Sequence, residues 1–537
     1  MTKKTTTVLC DGLDDFGRGI VRIDGKAVFV EDLLPGERAV LDTFFSYGKL
    51  DHAEVQKRLN DSPDRVKPRC PYYPSCGGCQ IQHLAYNKQL LYKQQKVKEL
   101  IHKFAHLDVD VLPTLGLENP WRFRNKVQKP VRYLPKAGKA ACGFYRQGTH
   151  DLVAIDDCLL ESELATRITK TFLSLLPRYR YRPYDEDKGT GEIRHLLIKT
   201  SSLNQALVTL VVTRGDLPGR VNFARDLVKK VPEIVGVVLN VNPRHTNVIL
   251  GERDVPVYGK THLLDVIFGK KFLISTQSFY QTNTYQIETL YQTAIDFAGL
   301  RKEDRVLDSY CGTGTIGLSL ADKVKEVVGV EIVPSAVRDA VLNAKNNDIS
   351  NARFYRDDAT KFLLSTDQRF DVVLMDPPRK GSTPEFIGAV KKMKPRKVVY
   401  VSCDPVTLSR DLALFKDGYG IEKVQPVDLF PHSLHVETVV SLAQRHIKDS
   451  VLVSFTSDEL PITKTEASAT YQEIQKFIYD KHRIKVSTLD IAQVKEECGI
   501  KKRVNYNKPK SDKYDQPRVT QEKEALIKEA LKEFKML

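Results

Sequence analysis

No apolar stretch of this sequence approaches the roughly 20 residues needed to cross a bilayer, so no membrane span is expected. The opening, MTKKTTTVLCDGLDD, has lysines with no apolar core behind them, and no secretory signal is expected. Acid is in deficit: 83 Lys and Arg stand against 68 Asp and Glu, a net charge of +15 and a sequence pI of about 9.1. That surplus repels basic partners and attracts polyanions, nucleic acid being the commonest. A basic surface that serves only solubility is the competing explanation. The cysteines lack an even count: Cys10, Cys70, Cys76, Cys79, Cys142, Cys158, Cys311, Cys403 and Cys498 are nine, spread over a long chain. This predicts reduced thiols in a cytoplasmic protein rather than a disulfide framework. A hydrophobic share of 41% excludes wholesale disorder. The length of 537 residues excludes one core, since single cores stop growing near about 250–300 residues.

What is present divides the chain. Residues from about 5 to 58 alternate short apolar runs with Gly12, Gly17, Gly19, Gly25 and the turn Pro35-Gly36, which predicts a small β-barrel. The knot from Cys70 to Cys79, rich in Pro and Gly, predicts neither helix nor sheet, and a helical pattern follows to about Phe104. Residues 120–270 hold strand-like runs and read as an α+β domain. Beyond 300, short β runs (306–308, 327–331, 372–376, 398–402) alternate with helical stretches, the βαβ signature of a doubly wound parallel sheet. From about 446 the chain turns lysine-rich. Tyr471–Tyr479 and Thr488–Cys498 read as two short amphipathic helices, followed by the basic runs Lys501-Lys502-Arg503 and Lys508-Pro509-Lys510. The expected fold class is therefore multidomain α/β.

Three motifs carry chemistry. Asp308-Ser309-Tyr310-Cys311-Gly312-Thr313-Gly314-Thr315 follows a strand and opens a helix, and Glu331 ends the next strand, where a carboxylate can take both hydroxyls of a ribose. The loop has no phosphate-binding lysine, so a nucleoside without phosphates suits it, which points to S-adenosylmethionine. Asp376-Pro377-Pro378-Arg379 sits at another strand end. An aromatic after the prolines would favour methylation on an amino nitrogen, and Arg379 in its place argues for another acceptor. Ser402-Cys403-Asp404-Pro405 puts a thiol where a strand meets a helix, whose N-terminus is expected to lower its pKa. An inert buried cysteine is the plainer alternative. Glu437, at the mouth of the apolar run 436–442, is a candidate proton acceptor. Cys70, Cys76 and Cys79, with Cys158 as a distant fourth, suit either zinc or a 4Fe–4S cluster.

Together with Phe279-Tyr280-Gln281-Thr282-Asn283 and His435-Val436-Glu437, these residues resemble the RNA uracil-5 methyltransferases of the 23S rRNA (uracil-5-)-methyltransferase type, over roughly residues 5–445. The resemblance implies a TRAM barrel of the oligonucleotide-binding kind at 1–60 and a central domain at 61–270 holding a 4Fe–4S cluster on Cys70, Cys76, Cys79 and Cys158. It further implies a Rossmann-like, S-adenosylmethionine-dependent methyltransferase domain at 271–445, with 446–537 as an extension for which a helix-turn-helix-like RNA-binding role is expected. It assigns cofactor contacts to Gln281, Tyr310, Thr315, Glu331, Asp358 and Asp376, with Thr315 and Asp358 at positions where the family varies. Cys403 becomes the nucleophile and Glu437 the base. The expected partner is RNA, 23S rRNA first, acting on a monomer. The same chemistry on the T-loop uridine of tRNA, and a non-catalytic RNA-binding protein, are the alternatives.

Overall fold

The computed structural model describes residues 6–47, 50–146, 148–244, 248–445, 471–498, 519–534 and 537. The chain divides into two compact units, Met1–His446 and Ile447–Leu537.

The first unit begins with the barrel. Thr6–Leu13, Gly19–Ile23, Lys26–Val30, Arg38–Tyr47 and Leu50–Arg58 close into five strands. Alternate residues (Val8, Cys10, Val21, Val28, Val30) turn inward and fill it, as a period of two requires. Asp24 and Gly25, both at positive φ, make the tight turn that joins the second and third strands. Buried Glu37 ties the barrel to the chain beyond it. Its carboxylate accepts from the amides of Leu34 (2.9 Å) and Ser62 (3.0 Å) and from Arg65 (2.5 Å).

After the cysteine knot, which is all turn and bend, the helix Tyr86–Leu100 leads to a seven-stranded sheet. Its order is Arg253–Gly259, Ile234–Val241, Ala206–Val212, Ile193–Thr200, Lys126–Leu134, Lys139–Tyr145 and Leu152–Ala154. One neighbouring pair, 206–212 with 234–241, is parallel and the rest antiparallel. Glu163–Tyr179 and Arg220–Lys230 share its apolar core through Phe172, Leu176, Phe223 and Leu227.

The last sheet positions the chemistry. Its strands are β1 (Arg305–Ser309), β2 (Glu326–Glu331), β3 (Ala352–Arg356), β4 (Val372–Met375), β5 (Lys397–Ser402), β6 (Tyr419–Val427) and β7 (Glu437–Gln444), in the order β3-β2-β1-β4-β5-β7-β6. Only β7 runs antiparallel to its neighbours. The runs read as strands are all present, within a residue or two at their ends. β3 and β6 were not foreseen, because both mix polar residues into the pattern: Ala352–Arg356 has no buried position, and Tyr419–Val427 carries Glu422 and Lys423 mid-strand. Strand order reverses beside β1, so the crevice beyond the carboxyl ends of β1, β4 and β5 is where such sheets bind ligands. β7, running the other way, brings its first residue, Glu437, to the same edge: Ser402 pairs with Thr438.

In the second unit the two expected helices are Tyr471–His482 and Thr488–Glu497, and a third, Gln521–Glu533, was not anticipated. Ile474, Ile478, Ile491, Val494, Ile527 and Leu531 bury one another in its core. Ser487 and Asp490 form a reciprocal capping box at the second helix. The basic runs Lys501-Lys502-Arg503 and Lys508-Pro509-Lys510 lie outside the described residues. Among the described residues no helix is long and apolar enough to cross a membrane.

Candidate active site

The cofactor loop is a strained turn. Tyr310, Gly312 and Gly314 all stand at positive φ (66°, 55° and 78°). Glycine takes this conformation freely, whereas tyrosine takes it against its preference. The Tyr310 hydroxyl shares a hydrogen bond with Ser382 Oγ (3.2 Å), and its ring packs on Phe386, so one side chain spans from the loop after β1 to the segment after β4. Glu331 closes the loop: its carboxylate accepts from the Gly312 amide (3.1 Å) and the Val333 amide (2.7 Å). Thr315 is buried, its hydroxyl 2.9 Å from that of Tyr291. Asp358 caps the helix Ala359–Ser365, one oxygen accepting from the amides of Thr360 and Lys361. Gln281 is buried on a segment pinned from two sides. Asn125 Nδ2 donates to the Gln281 carbonyl (3.0 Å), and Asn283 donates to the Leu429 carbonyl (3.0 Å).

Beyond β4 and β5 the charges converge. Asp376 is half-buried at the end of β4, and desolvation pushes its carboxyl up to about 7. Asp308, on β1, is pushed up to about 7 by burial and by Asp376 and Glu331. Burial, with the charge of Asp376 added, drives Glu437 well above the usual carboxylate range. Its Oε2 is buried and has no hydrogen-bond partner. Cys403 belongs to the same cluster. Burial, then Glu437 and Asp376, push its thiol up to about 12, with Arg379 opposing through charge and a hydrogen bond to the sulfur. One arginine thus faces several acidic groups, a field that favours a cationic ligand.

The thiol corrects one expectation. Cys403 was expected to have a lowered pKa from the helix behind it, and the shift is the reverse. The N-cap of Pro405–Phe415 is Asp404, whose carboxylate takes the amides of Val406 (2.9 Å) and Thr407 (3.1 Å). The amides that would have favoured a thiolate are already occupied, and burial beside two acids dominates.

Cys70, Cys76, Cys79 and Cys158 line a single cavity with Phe144, Leu160 and Arg124. Burial pushes Cys79 up to about 11 and Cys158 up to about 12. The Gly78 amide (3.4 Å) donates to the Cys76 sulfur. Among the described residues, however, no three His, Cys, Asp or Glu side chains converge as a metal-ion site. The structure brings the four cysteines to one place and does not show the expected cluster.

Arg379 as partner of the thiol was missed. A cation directly after a strand-end Asp-Pro-Pro was the available signal. Also missed was the frame behind Glu437: His432 stacks on Trp121 at 4.0 Å, and Lys93, fully buried, donates to Asp428 (2.6 Å) and to the Phe430 carbonyl (2.9 Å). Nothing in local sequence links residue 93 to residue 428.

A doubly wound sheet with a glycine loop after β1 and a carboxylate ending β2 defines a methyltransferase-like fold. Residues 262–445 match the sequence profile of the tRNA (Uracil-5-)-methyltransferase family. An RNA methyltransferase of Listeria monocytogenes is 41% identical over 436 residues, 79% of this chain and 94% of that one. One from Halalkalibacterium halodurans is 39% identical over 444 residues, 81% and 96% of the two chains. The Pyrococcus abyssi tRNA (uracil-54, C5)-methyltransferase, solved with S-adenosyl-L-homocysteine, superposes with a TM-score of 0.67 at 24% identity. It covers 82% of this chain and 100% of its own. The chain belongs to the S-adenosylmethionine-dependent RNA methyltransferases, and its residues 262–445 form a domain of the tRNA (uracil-5-)-methyltransferase family.

Proposed function

We propose that this enzyme methylates carbon 5 of a uridine in 23S rRNA through a transient bond between Cys403 and carbon 6 of the ring. The observation that carries the reading is the meeting of a strand-end thiol, two carboxyls with raised pKa and one arginine at the carboxyl ends of β4 and β5 and the amino end of β7. Carbon 5 of uracil is too weak a nucleophile to take a methyl group directly. Attack by the thiolate at carbon 6 turns the ring into an enolate whose carbon 5 is nucleophilic. When bound, S-adenosylmethionine supplies the methyl electrophile.

The protein's own groups do the rest. With its thiol raised to about 12, Cys403 rests protonated. Its proton passes to water on the open side of the cleft, where exposed Arg379 meets the developing negative sulfur. Asp376, near its midpoint at neutral pH, offers a proton to the pyrimidine edge. Glu437 enters this step as the carboxylate, its own proton given up to water as the cationic cofactor binds beside it; the burial that raises its pKa then makes it a strong base, and the partnerless Oε2 takes the carbon 5 proton. Elimination then restores the 5,6 double bond and the thiolate. Gln281, Tyr310, Thr315, Glu331, Asp358 and Asp376 are proposed to hold the cofactor. To reach Cys403 the uridine has to leave its stack, as in other enzymes that act on a base.

A 4Fe–4S cluster on Cys70, Cys76, Cys79 and Cys158 is proposed from the four thiols that share one cavity, and the barrel is proposed to grip RNA. A brown protein absorbing in the visible supports the cluster, and stoichiometric zinc without iron counts against it. The tRNA reading is favoured by the tRNA substrate for which the matched family and the Pyrococcus abyssi enzyme are named. One experiment separates the readings: 23S rRNA and tRNA transcripts made with 5-fluorouridine are incubated with enzyme and S-adenosylmethionine. The expected result is a denaturant-stable adduct between 23S rRNA and Cys403. An adduct with tRNA alone selects the second substrate, and no adduct through Cys403 ends the proposal.

A further inference from the structure

We infer that a separate pocket, bordered by Tyr280, Thr284 and Tyr285 of the segment carrying Gln281, binds an unstacked nucleotide of the RNA outside the target uridine. The inference rests on the proposed reading that the substrate is RNA. The pocket has a volume of about 660 Å³ and lies between the edge of the central sheet and residues 280–288. This is within the range of about 300–1,000 Å³ typical of small-ligand sites. It contains neither Cys403 nor any of the six proposed cofactor contacts.

Two observations mark it as a built site. Asn125 is 3% exposed and Ser201 9%, both line the pocket, and Asn125 Oδ1 and Ser201 Oγ are buried without a hydrogen-bond partner. Buried polar atoms left unpaired cost stability, and both belong to side chains that line the pocket wall. Arg124, whose Nε is likewise buried without a partner, lines this pocket as well as the cysteine cavity, so a cation, an amide and a hydroxyl border the same space. At the mouth stands Tyr285, 63% exposed, an aromatic face in water beside Ser202 and Asn204. An exposed ring over a floor of amide and hydroxyl groups is how proteins hold unstacked bases: the ring stacks on the base and the polar groups meet its edges. A purely apolar ligand would leave Asn125 and Ser201 unpaired.

The pocket wall also borders the segment that carries Gln281. Asn125 accepts nothing on its Oδ1, while its Nδ2 holds the Gln281 carbonyl (3.0 Å) and its amide donates to the Thr282 carbonyl (3.0 Å).

The test uses the full-length protein with transcribed 23S rRNA and tRNA. Tyr285→Ala is expected to weaken binding of the substrate transcript about tenfold, and Tyr285→Phe, which keeps the ring, to restore it. Ser201→Ala is expected to weaken it several-fold. In all three, S-adenosylmethionine affinity and kcat at saturating RNA stay at wild-type values, so the loss is read in KM for RNA. Transcripts carrying 4-thiouridine should crosslink to the peptides containing Ser201 or Tyr285 at a nucleotide other than the target. Wild-type RNA affinity in Tyr285→Ala and Ser201→Ala, or crosslinks only to other peptides, would overturn the pocket while leaving Cys403 chemistry intact. Conversely, loss of RNA binding in Tyr285→Ala in a protein that never forms a Cys403 adduct would keep the pocket and remove the proposed reaction.

Discussion

Asp376, Asp308, Glu437 and Cys403 are each held away from their charged forms, and the sign of this matters for how the enzyme responds to pH. Asp376 titrates near 7 in the folded protein and near 3.9 when unfolded. Between these values the folded state holds a proton that the unfolded state has lost. The contribution of Asp376 to stability is therefore fully present below about pH 4 and is lost as pH rises through 7. Asp376→Asn is expected to be more stable than wild type by about 1–3 kcal/mol at pH 8, an advantage that builds from about pH 4 and levels off above 7; urea unfolding at four pH values checks it. Binding of a cationic cofactor beside these acids is expected to release protons, so that S-adenosylmethionine affinity rises between pH 6 and 8. Calorimetry in two buffers of different ionisation enthalpy measures the release. Cys403→Ala should lose methylation by at least about a thousandfold with cofactor affinity kept. Glu437→Gln should still transfer methyl but retain the carbon 5 proton and accumulate adduct, seen as lost tritium release from 5-tritiated uridine in RNA. These residue types and their neighbours in sequence were legible before any fold was known. The direction of the Cys403 shift was not, since it depends on Asp376 and Glu437, brought in from other strands.

At the scale of elements, the site is held by contacts between distant segments. Helix Tyr86–Leu100 carries Lys93, whose ammonium is buried against Asp428, and Tyr86 donates to the other Asp428 oxygen (3.0 Å). This fixes the stretch from 428 to 435, which delivers Glu437 to the head of β7. Lys93→Met is expected to destabilise the protein by about 3–5 kcal/mol, because it leaves Asp428 buried and unpaired. Denaturant titration should show that loss, and Asp428→Asn added to it should recover part. The strand runs rich in Val and Leu could be read from sequence because they are buried on both faces. β3 and β6 could not, because edge strands expose polar residues that break the pattern.

For the whole molecule, a charge of +15 predicts RNA affinity that falls steeply with salt. Residues 499–520 hold seven Lys or Arg against two Asp. If this extension grips phosphates, a chain ending at 449 should show a shallower slope of log affinity against log salt, by about one unit or more, while the 5-fluorouridine adduct at Cys403 still forms. An unchanged slope would leave the extension without a part in RNA binding.

The sequence alone determined the kinds of chemistry available: a thiol at a strand end, a carboxylate after β2, four cysteines in a fixed spacing, and alternating strands and helices. These are local properties, set by residue type and periodicity. Only the tertiary structure decided which charges face Cys403, that Lys93 braces the segment before Glu437, and that Asn125 and Ser201 open onto a pocket of their own. Burial and Coulomb interaction depend on distance in space, and residues hundreds of positions apart acquire that distance only when the chain folds.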